Sequence, residues 1–419
     1  MIATLRARLP KPSLWLGWLA FLGLFLVAGA IGGILVLWKG LSITNLTDLV
    51  PWGLWITIDL SSIALAGGAF SLCAVVYLIG LKRYAPIART ATWVGLIGYS
   101  MAMLCLFMDI GRPFSFYQAM IYWNTHSLLW EVTMCIILYF TVLMLESLPI
   151  IANWEWLRNK FPKLTAKMSH VHHFAPYLAI AGLALSSMHQ ASLGGAYGVL
   201  KARPIWYKPG MPVMFTLSAI IGGFAMTLFV SMLAARLTNK AKVNDGLIER
   251  LSHAVGWGLV GYFYWRFWDT LSMTYTYAPG RTEGLQLLTT GPLAFNFWVG
   301  EILLGIVVPM ILLLNRKTRM NPFWRMAALL MVIGGVIAMR WDINLVGALV
   351  VLSYLPGQPT VSYTSYVPSL IEWAIGLGVI AYGMLAFSLG VRYLRVVDHR
   401  LTDEEHEVVK VKATEPVRI

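Results

Sequence analysis

Eight charged side chains lie inside or at the ends of apolar stretches: Asp59, Asp109, Glu131, Arg266, Asp269, Glu301, Arg340 and Glu372. Two histidines, His126 and His189, lie close to the same stretches. Charge in a hydrocarbon environment is costly and is kept where it faces a bundle interior or a cavity. Carboxylates and imidazoles held together at one depth can exchange protons near neutral pH. The spacing supports such a grouping. Asp59 comes two turns after Pro51-Trp52-Gly53, about 10 Å below the helix start at 1.5 Å per residue. Asp109 and Arg112 close a helix in DIGRP at a spacing that allows mutual neutralisation. Asn124, His126 and Glu131 open the next helix, and Met188-His189-Gln190 is read as ending the one after, before a small-residue turn, SLGG. Each has a competing structural reading: an ion pair for Asp109 and Arg112, an interfacial position for His126, and helix-dipole complementarity for Glu131.

The elements that must hold these groups are membrane-spanning helices. The chain has 419 residues, 58% hydrophobic and 12% charged, with a mean hydropathy of +0.69. Helices and closed barrels alone satisfy the backbone in lipid, and these runs lack the alternation of barrel strands. Eighteen Trp and eighteen Tyr suit two interfacial belts. The net charge of +13 is dispersed through short loops, which argues for topology and against a nucleic-acid surface. Ten runs are long enough to span: 14–38, 52–81, 91–110, 127–149, 174–193, 212–236, 254–276, 293–314, 323–341 and 369–394. The first follows Arg6, Arg8 and Lys11 but is too long for a signal-peptide core and lacks a small-residue cleavage site, so it is read as a helix.

With the N-terminus inside, 24 of the 32 Lys and Arg fall on inner segments and six on outer loops, with Arg266 and Arg340 inside helices. That bias follows the positive-inside rule and makes both termini cytoplasmic. The loop at 194–211 is a mild exception. The ten chemical groups then lie toward the outer face, and Glu146, near the inner end of the fourth run, is the acidic candidate for proton uptake from the cytoplasm. The outer loops at 111–126, 194–211, 277–292 and 342–368 are rich in Pro, Gly, Tyr and Trp and read as a docking surface for a soluble partner. A faint repeat relates runs 2–5 to runs 6–9, including paired glycines at Gly67-Gly68 and Gly222-Gly223. The expected architecture is all-α: ten transmembrane helices, a first four-helix bundle at about 51–193, a second at about 212–341, and peripheral helices 1 and 10. Residues 1–397 form one integral domain and 398–419 a short charged cytoplasmic tail.

Cys73, Cys105 and Cys135 are scattered singly, so no iron–sulfur cluster or covalent haem is expected. His126 and His189 could in principle ligate haem b, a reading not favoured here. The HVHH run at 170–173 fits an interfacial basic edge better than a metal site, and no metal site is expected.

PWGLWITID, AGGAF, MDIGRP, SLLWE, MHQASLGG and RWDINLVG occur in this order between residues 51 and 347. In sequence and spacing they resemble the NrfD/PsrC family of membrane quinone-reacting subunits, most closely its ten-helix branch. The resemblance spans about 51 to 394. It implies a chain without haem or an iron–sulfur cluster of its own, which takes menaquinone or ubiquinone as substrate within the first bundle, toward the periplasm. It implies a periplasmic ferredoxin-like iron–sulfur partner and further hydrogenase, cytochrome c or molybdopterin-type redox subunits in a bacterial cytoplasmic membrane. By position in the motifs, Trp55, Asp59, His126, Glu131 and His189 would line the quinone pocket. Asp59, Asp109, Glu131 and Glu146 would move protons. In the second bundle Arg266, Asp269, Glu301 and Arg340 would form either a proton route or, as favoured here, a structural ion network. The competing classes are a structural membrane anchor, a haem b subunit and a secondary transporter.

Overall fold

Among the described residues, ten long helices run back and forth between two faces. The computed structural model describes residues 12–275, 277–355 and 358–399. The helices are α1 (Pro12–Lys39), α2 (Leu54–Leu78), α3 (Ala85–Asp109), α4 (Leu128–Ala152), α5 (Ala175–Gly198), α6 (Met211–Leu237), α7 (Asp245–Ser272), α8 (Asn296–Leu314), α9 (Pro322–Leu349) and α10 (Leu370–Tyr393). Their starts follow local rules. Proline sits in the first turn of α3, α5, α6 and α9, where its missing N–H costs nothing. Side chains of Ser127, Asn244, Asn321 and Ser369 cap α4, α7, α9 and α10.

Eight of the ten are long and apolar enough to cross a membrane. The exceptions, α5 and α7, are of similar length but carry more polar residues. Ser186, His189, Gln190 and Ser192 fall within α5, and Asp245, Glu249, Arg250, Arg266 and Asp269 within α7. Around the outside, large apolar side chains are exposed as they would be to lipid, for example Leu14, Leu24 and Ile34 on α1.

Helices α2 to α5 pack on one another, as do α6 to α9, and α2 and α6 join the two sets. The junction is made by the paired glycines. A Cβ added at Gly223 would stand 1.9 Å from the backbone N of Gly68, and one at Gly68 would stand 2.5 Å from the carbonyl of Gly223. Small residues let backbones approach this closely, which is a main source of helix association in lipid. Helix α1 lies chiefly along α10.

Several boundaries differ from those read in the sequence. SLGG is not a turn: α5 runs on to Gly198, because Gly194 packs directly on the start of α6, with only 2.6 Å between an added Cβ and the Met211 carbonyl. Likewise α9 runs on to Leu349, so RWDINLVG is helical throughout. The remainder of that long loop is not irregular. Strands β1 (Val350–Leu355) and β2 (Gln358–Tyr363) form an antiparallel hairpin, with Val350 opposite Tyr363 and Leu352 opposite Val361. The loop at 277–292 contains a further short helix, Arg281–Thr289.

The hairpin lies at the face where α1, α3, α5, α7 and α9 end. At the opposite face Arg319 donates to Glu249 at 2.5 Å and buried Arg325 pairs with Asp245, clamping the starts of α7 and α9 together. There too Lys242 N donates to Val397 O at 2.9 Å and His399 N to Lys242 O at 2.7 Å, so Asp398 and His399 are built into the fold. The remaining part of the expected tail, 400–419, lies outside the described residues.

Candidate functional site

The first set of helices encloses a group of polar side chains at mid-depth. Asp59 is on α2 and 2% exposed, and His189 and Gln190 on α5 are fully buried. Because α5 continues to Gly198, His189 lies nine residues before its end, about 14 Å below the surface. Its Nδ1 is 3.1 Å from the hydroxyl of Tyr99 on α3, a bond in which either atom can donate. Tyr99 in turn stands edge-on to Tyr139 of α4, with ring centroids 4.6 Å apart, and its hydroxyl is 3.5 Å from Ser186 Oγ. Gln190 donates through Nε2 to the carbonyl of Ile63 at 3.2 Å, fixing its amide against α2.

What these groups leave unsatisfied is the most informative feature. Asp59 Oδ1, His189 Nε2 and Gln190 Oε1 are all buried without a hydrogen-bond partner. They are three of fifteen such atoms among the described residues, and the bond from Gln190 to Ile63 sets them where α2 and α5 meet, a place for a ligand or an ordered water. Asp59 is in electrostatic range of Asp109 and of Arg340 on α9. Arg340 donates to Phe215 O and Ser218 Oγ, both at 3.0 Å, and stacks on the Phe215 ring, leaving its Nε and Nη1 unpartnered.

The other residues singled out in the sequence divide around this group. Trp55, one turn before Asp59, is buried and donates Nε1 to the carbonyl of Glu372 at 3.0 Å. Glu131 accepts from Ser192 Oγ at 2.7 Å, on the seam between α4 and α5. Asp109 is half-buried with Oδ1 unpartnered. No ion pair joins it to Arg112: Gly111, at φ +73°, reverses the chain after α3 and Arg112 is exposed. His126 is exposed also, because the Ser127 cap starts α4 after it and leaves the imidazole outside the bundle. Glu146 is half-buried toward the basic face, within electrostatic range of Cys73 and Tyr139. Glu372 is explained by folding. Its carboxylate caps α10 through Ser369 N at 2.8 Å, accepts from Asn45 N at 3.0 Å and takes the Tyr366 hydroxyl.

In the second set, Arg266 and Glu301 form a two-pronged buried pair at 2.6 and 3.1 Å. Asp269 joins it through Arg266 at 2.9 Å and also takes Lys208 at 2.6 Å. Burial pulls the Lys208 ammonium below its ordinary range while Asp269 opposes that shift. Arg340 has no ion pair in this network. Asp342, beside it, accepts from Asn296 at 2.7 Å and leaves Oδ2 unpartnered. Two of the three basic residues in the loop between α5 and α6 have structural partners, Lys208 in this network and Arg203, which donates to Ala348 O at 2.7 Å near the end of α9.

Three residues of the site carried no signal that sequence reasoning used. Tyr99 is one aromatic among many. Tyr197 and Asn344 form a buried pair at 2.9 Å, and Asn344 also donates to Trp52 O at 3.0 Å and Thr57 Oγ1 at 3.1 Å. Asn344 lies within the RWDINLVG motif, and a buried amide in an apolar helix was the sign available. Among the described residues no group of three or more His, Cys, Asp and Glu is arranged to hold a metal ion.

The protein-family model described as polysulphide reductase, NrfD, matches residues 42–353. The menaquinone reductase integral membrane subunit of Nitratidesulfovibrio vulgaris is 33% identical over 393 residues, 92% of each chain. The Hdr-like menaquinol oxidoreductase integral membrane subunit of Archaeoglobus fulgidus is 26% identical over 377 residues, 87% of this chain and 89% of that one. A probable Ni/Fe-hydrogenase 2 b-type cytochrome subunit of Escherichia coli is 26% identical over 366 residues, 85% and 86% of the two chains.

Proposed function

This chain belongs to the NrfD family, and on that premise we propose that it is the integral membrane, quinone-reacting subunit of a respiratory oxidoreductase complex. The observation that carries the reading is the set of buried, unpartnered atoms on Asp59, His189 and Gln190. A quinone presents two oxygens that accept hydrogen bonds when oxidised and donate them when reduced, and it supplies two-electron chemistry coupled to protons. Imidazole can donate or accept, and a carboxyl group donates to the quinone when protonated and accepts from the quinol when ionised. Tyr99 orients the His189 ring through Nδ1 and leaves Nε2 to meet the quinone oxygen. Asp59 holds or releases the proton, and the free carbonyl of Gln190 accepts from the hydroxyl of the reduced quinol. Trp55 forms an apolar wall one turn away. Glu131, with Ser192, and Asp109 connect the site toward the hairpin face, and Glu146 gives a carboxylate toward the basic face. His126, being exposed, is reassigned from the pocket to the surface.

We further propose that all ten helices span the bacterial cytoplasmic membrane with both termini inside, the hairpin face being periplasmic. The distribution of Lys and Arg and the alternation of helix ends support this. A periplasmic ferredoxin-like iron–sulfur subunit would dock on the hairpin face and exchange electrons with menaquinone or ubiquinone, linked to hydrogenase, cytochrome c or molybdopterin-type subunits. The relatives named for menaquinone and menaquinol favour the former quinone. The haem b reading, which called on His126 and His189 as the axial pair, fits poorly, because His189 is buried while His126 is exposed. The network of Lys208, Asp269, Arg266 and Glu301 serves as a brace.

The test is a titration of the assembled complex with a fluorescent hydroxyquinoline N-oxide. Saturable binding that weakens at least tenfold in both His189→Ala and Asp59→Asn is expected. No saturable binding to the folded wild type in its complex, or unchanged affinity in both variants, would favour a structural anchor.

A further inference from the structure

A groove of about 250 Å³ opens on the outside of the first set of helices, between the end of α1 and the end of α3. Val36, Leu37, Leu41, Met108 and Phe114 make its walls apolar, and Arg112 stands exposed among them. The seam beneath it is weakly closed. Helix α1 is held mainly by α10, where an added Cβ at Gly29 would come 2.8 Å from Gly378 Cα. Against α3 it is at ordinary van der Waals distance, 3.7 Å from a Cβ added at Gly33 to Met108 Sδ, and just past the two helix ends a Cβ added at Gly111 would be 3.5 Å from Leu41. Among the described residues no hydrogen bond or ion pair crosses between α1 and α3.

The groove is also continuous with the interior. Val36, Leu41 and Met108 pack with buried Trp55 and Cys105 in one apolar cluster. Cys105 is in electrostatic range of both Asp59 and Asp109. It lies one turn below Asp109, whose Oδ1 is buried and unpartnered. The order from the outside inward is therefore apolar groove, apolar cluster, then the unsatisfied carboxylate of Asp59. That sequence of chemistries matches a long hydrocarbon tail bearing a polar head that must be delivered inward. Mobile seams are drawn from the weakly packed parts of a fold, and this one can part without breaking a polar contact.

Resting on the quinone reading above, we propose that the seam between α1 and α3 is the lateral passage by which quinone reaches Asp59 and His189, and that the isoprenoid tail remains in the groove. A phospholipid acyl chain, with its phosphate on Arg112, is the alternative occupant. The assembled complex is titrated with menadione, which has no tail, and with menaquinone-4, following quenching of intrinsic tryptophan fluorescence. Leu41→Phe combined with Met108→Phe narrows the groove without touching the polar site. It is expected to weaken menaquinone-4 at least tenfold while leaving menadione within twofold. Leu24→Phe, on the exposed side of α1 away from the groove, should leave both within twofold and serves as the control that the same kind of substitution outside the groove is silent. Equal weakening of both quinones by the double substitution, or no change in either, overturns the passage. Competition between anionic phospholipid and menaquinone-4 on the wild type would give the groove to lipid and overturn it too. Failure of the wild type to bind either quinone would instead remove the quinone reading itself.

Discussion

Replacing Glu301 by Gln is the sharpest test of the second set of helices. Glu301 is 1% exposed and takes two N–H bonds from Arg266, which is 2% exposed. As built, two cations, Lys208 and Arg266, face two carboxylates, Asp269 and Glu301. The Gln side chain preserves the volume but leaves two cations on one carboxylate, and its NH₂ group faces one guanidinium nitrogen donor to donor. Breaking a buried pair by removing one partner costs about 3–5 kcal/mol, since the remaining charge stays desolvated. Removing both partners with Arg266→Met and Glu301→Leu leaves Lys208 with Asp269, and should recover most of that loss. The coupling between the two positions should then be about 2–3 kcal/mol. Denaturation of the detergent-solubilised complex can be read with a thiol-reactive dye, because Cys73, Cys105 and Cys135 are all buried until the fold opens. A loss below about 1 kcal/mol in Glu301→Gln, or a double variant no more stable than the single, would refute the brace. A double variant that folds normally yet loses quinone turnover would make the network a proton route.

Three further outcomes are expected. Tyr99→Phe removes the partner of His189 Nδ1 and should weaken the N-oxide about tenfold, or about 1.4 kcal/mol, with the fold kept as judged by the dye. Gly223→Leu places carbon where an added Cβ is already 1.9 Å from Gly68 N; separation of α2 from α6 should abolish assembly, read as loss of the monodisperse complex on gel filtration. Burial lowers the His399 imidazole from 6.5 to about 4. A base with a depressed folded value binds more protons when unfolded, so its contribution is present above 6.5 and is lost as pH falls toward 4. Hydrogen exchange at residues 394–399 should therefore rise across that interval, and His399→Phe should flatten the rise.

Long apolar runs and capping residues marked helix starts to within a few residues for most of the ten, since proline and side-chain caps act locally. The ends of α5 and α9 were misread for a non-local reason. Gly194 resembles part of a turn until the start of α6 is laid against it, and the stretch from Asp342 to Gly347 resembles a loop until Asn344 and Asp342 find partners on other helices. The His189, Asp59 and Glu131 positions were visible as polar residues among apolar ones. The exposure of His126 and the absence of an Asp109–Arg112 pair were not, because both depend on how the loop between α3 and α4 turns away from the bundle.

The sequence by itself determined that this is a helical membrane protein of the NrfD family, for hydrophobic run length and ordered motifs are properties of the chain. The tertiary structure decided which buried charges are answered and which are not. Glu372 and Arg266 looked equivalent to Asp59 in the sequence, yet the first is consumed by a helix cap and the second by Glu301. Hydrogen bonding is set by distance across helices, and Asp59, His189 and Gln190, like Arg340 and Asp342, keep free atoms because packing brings no partner within their reach.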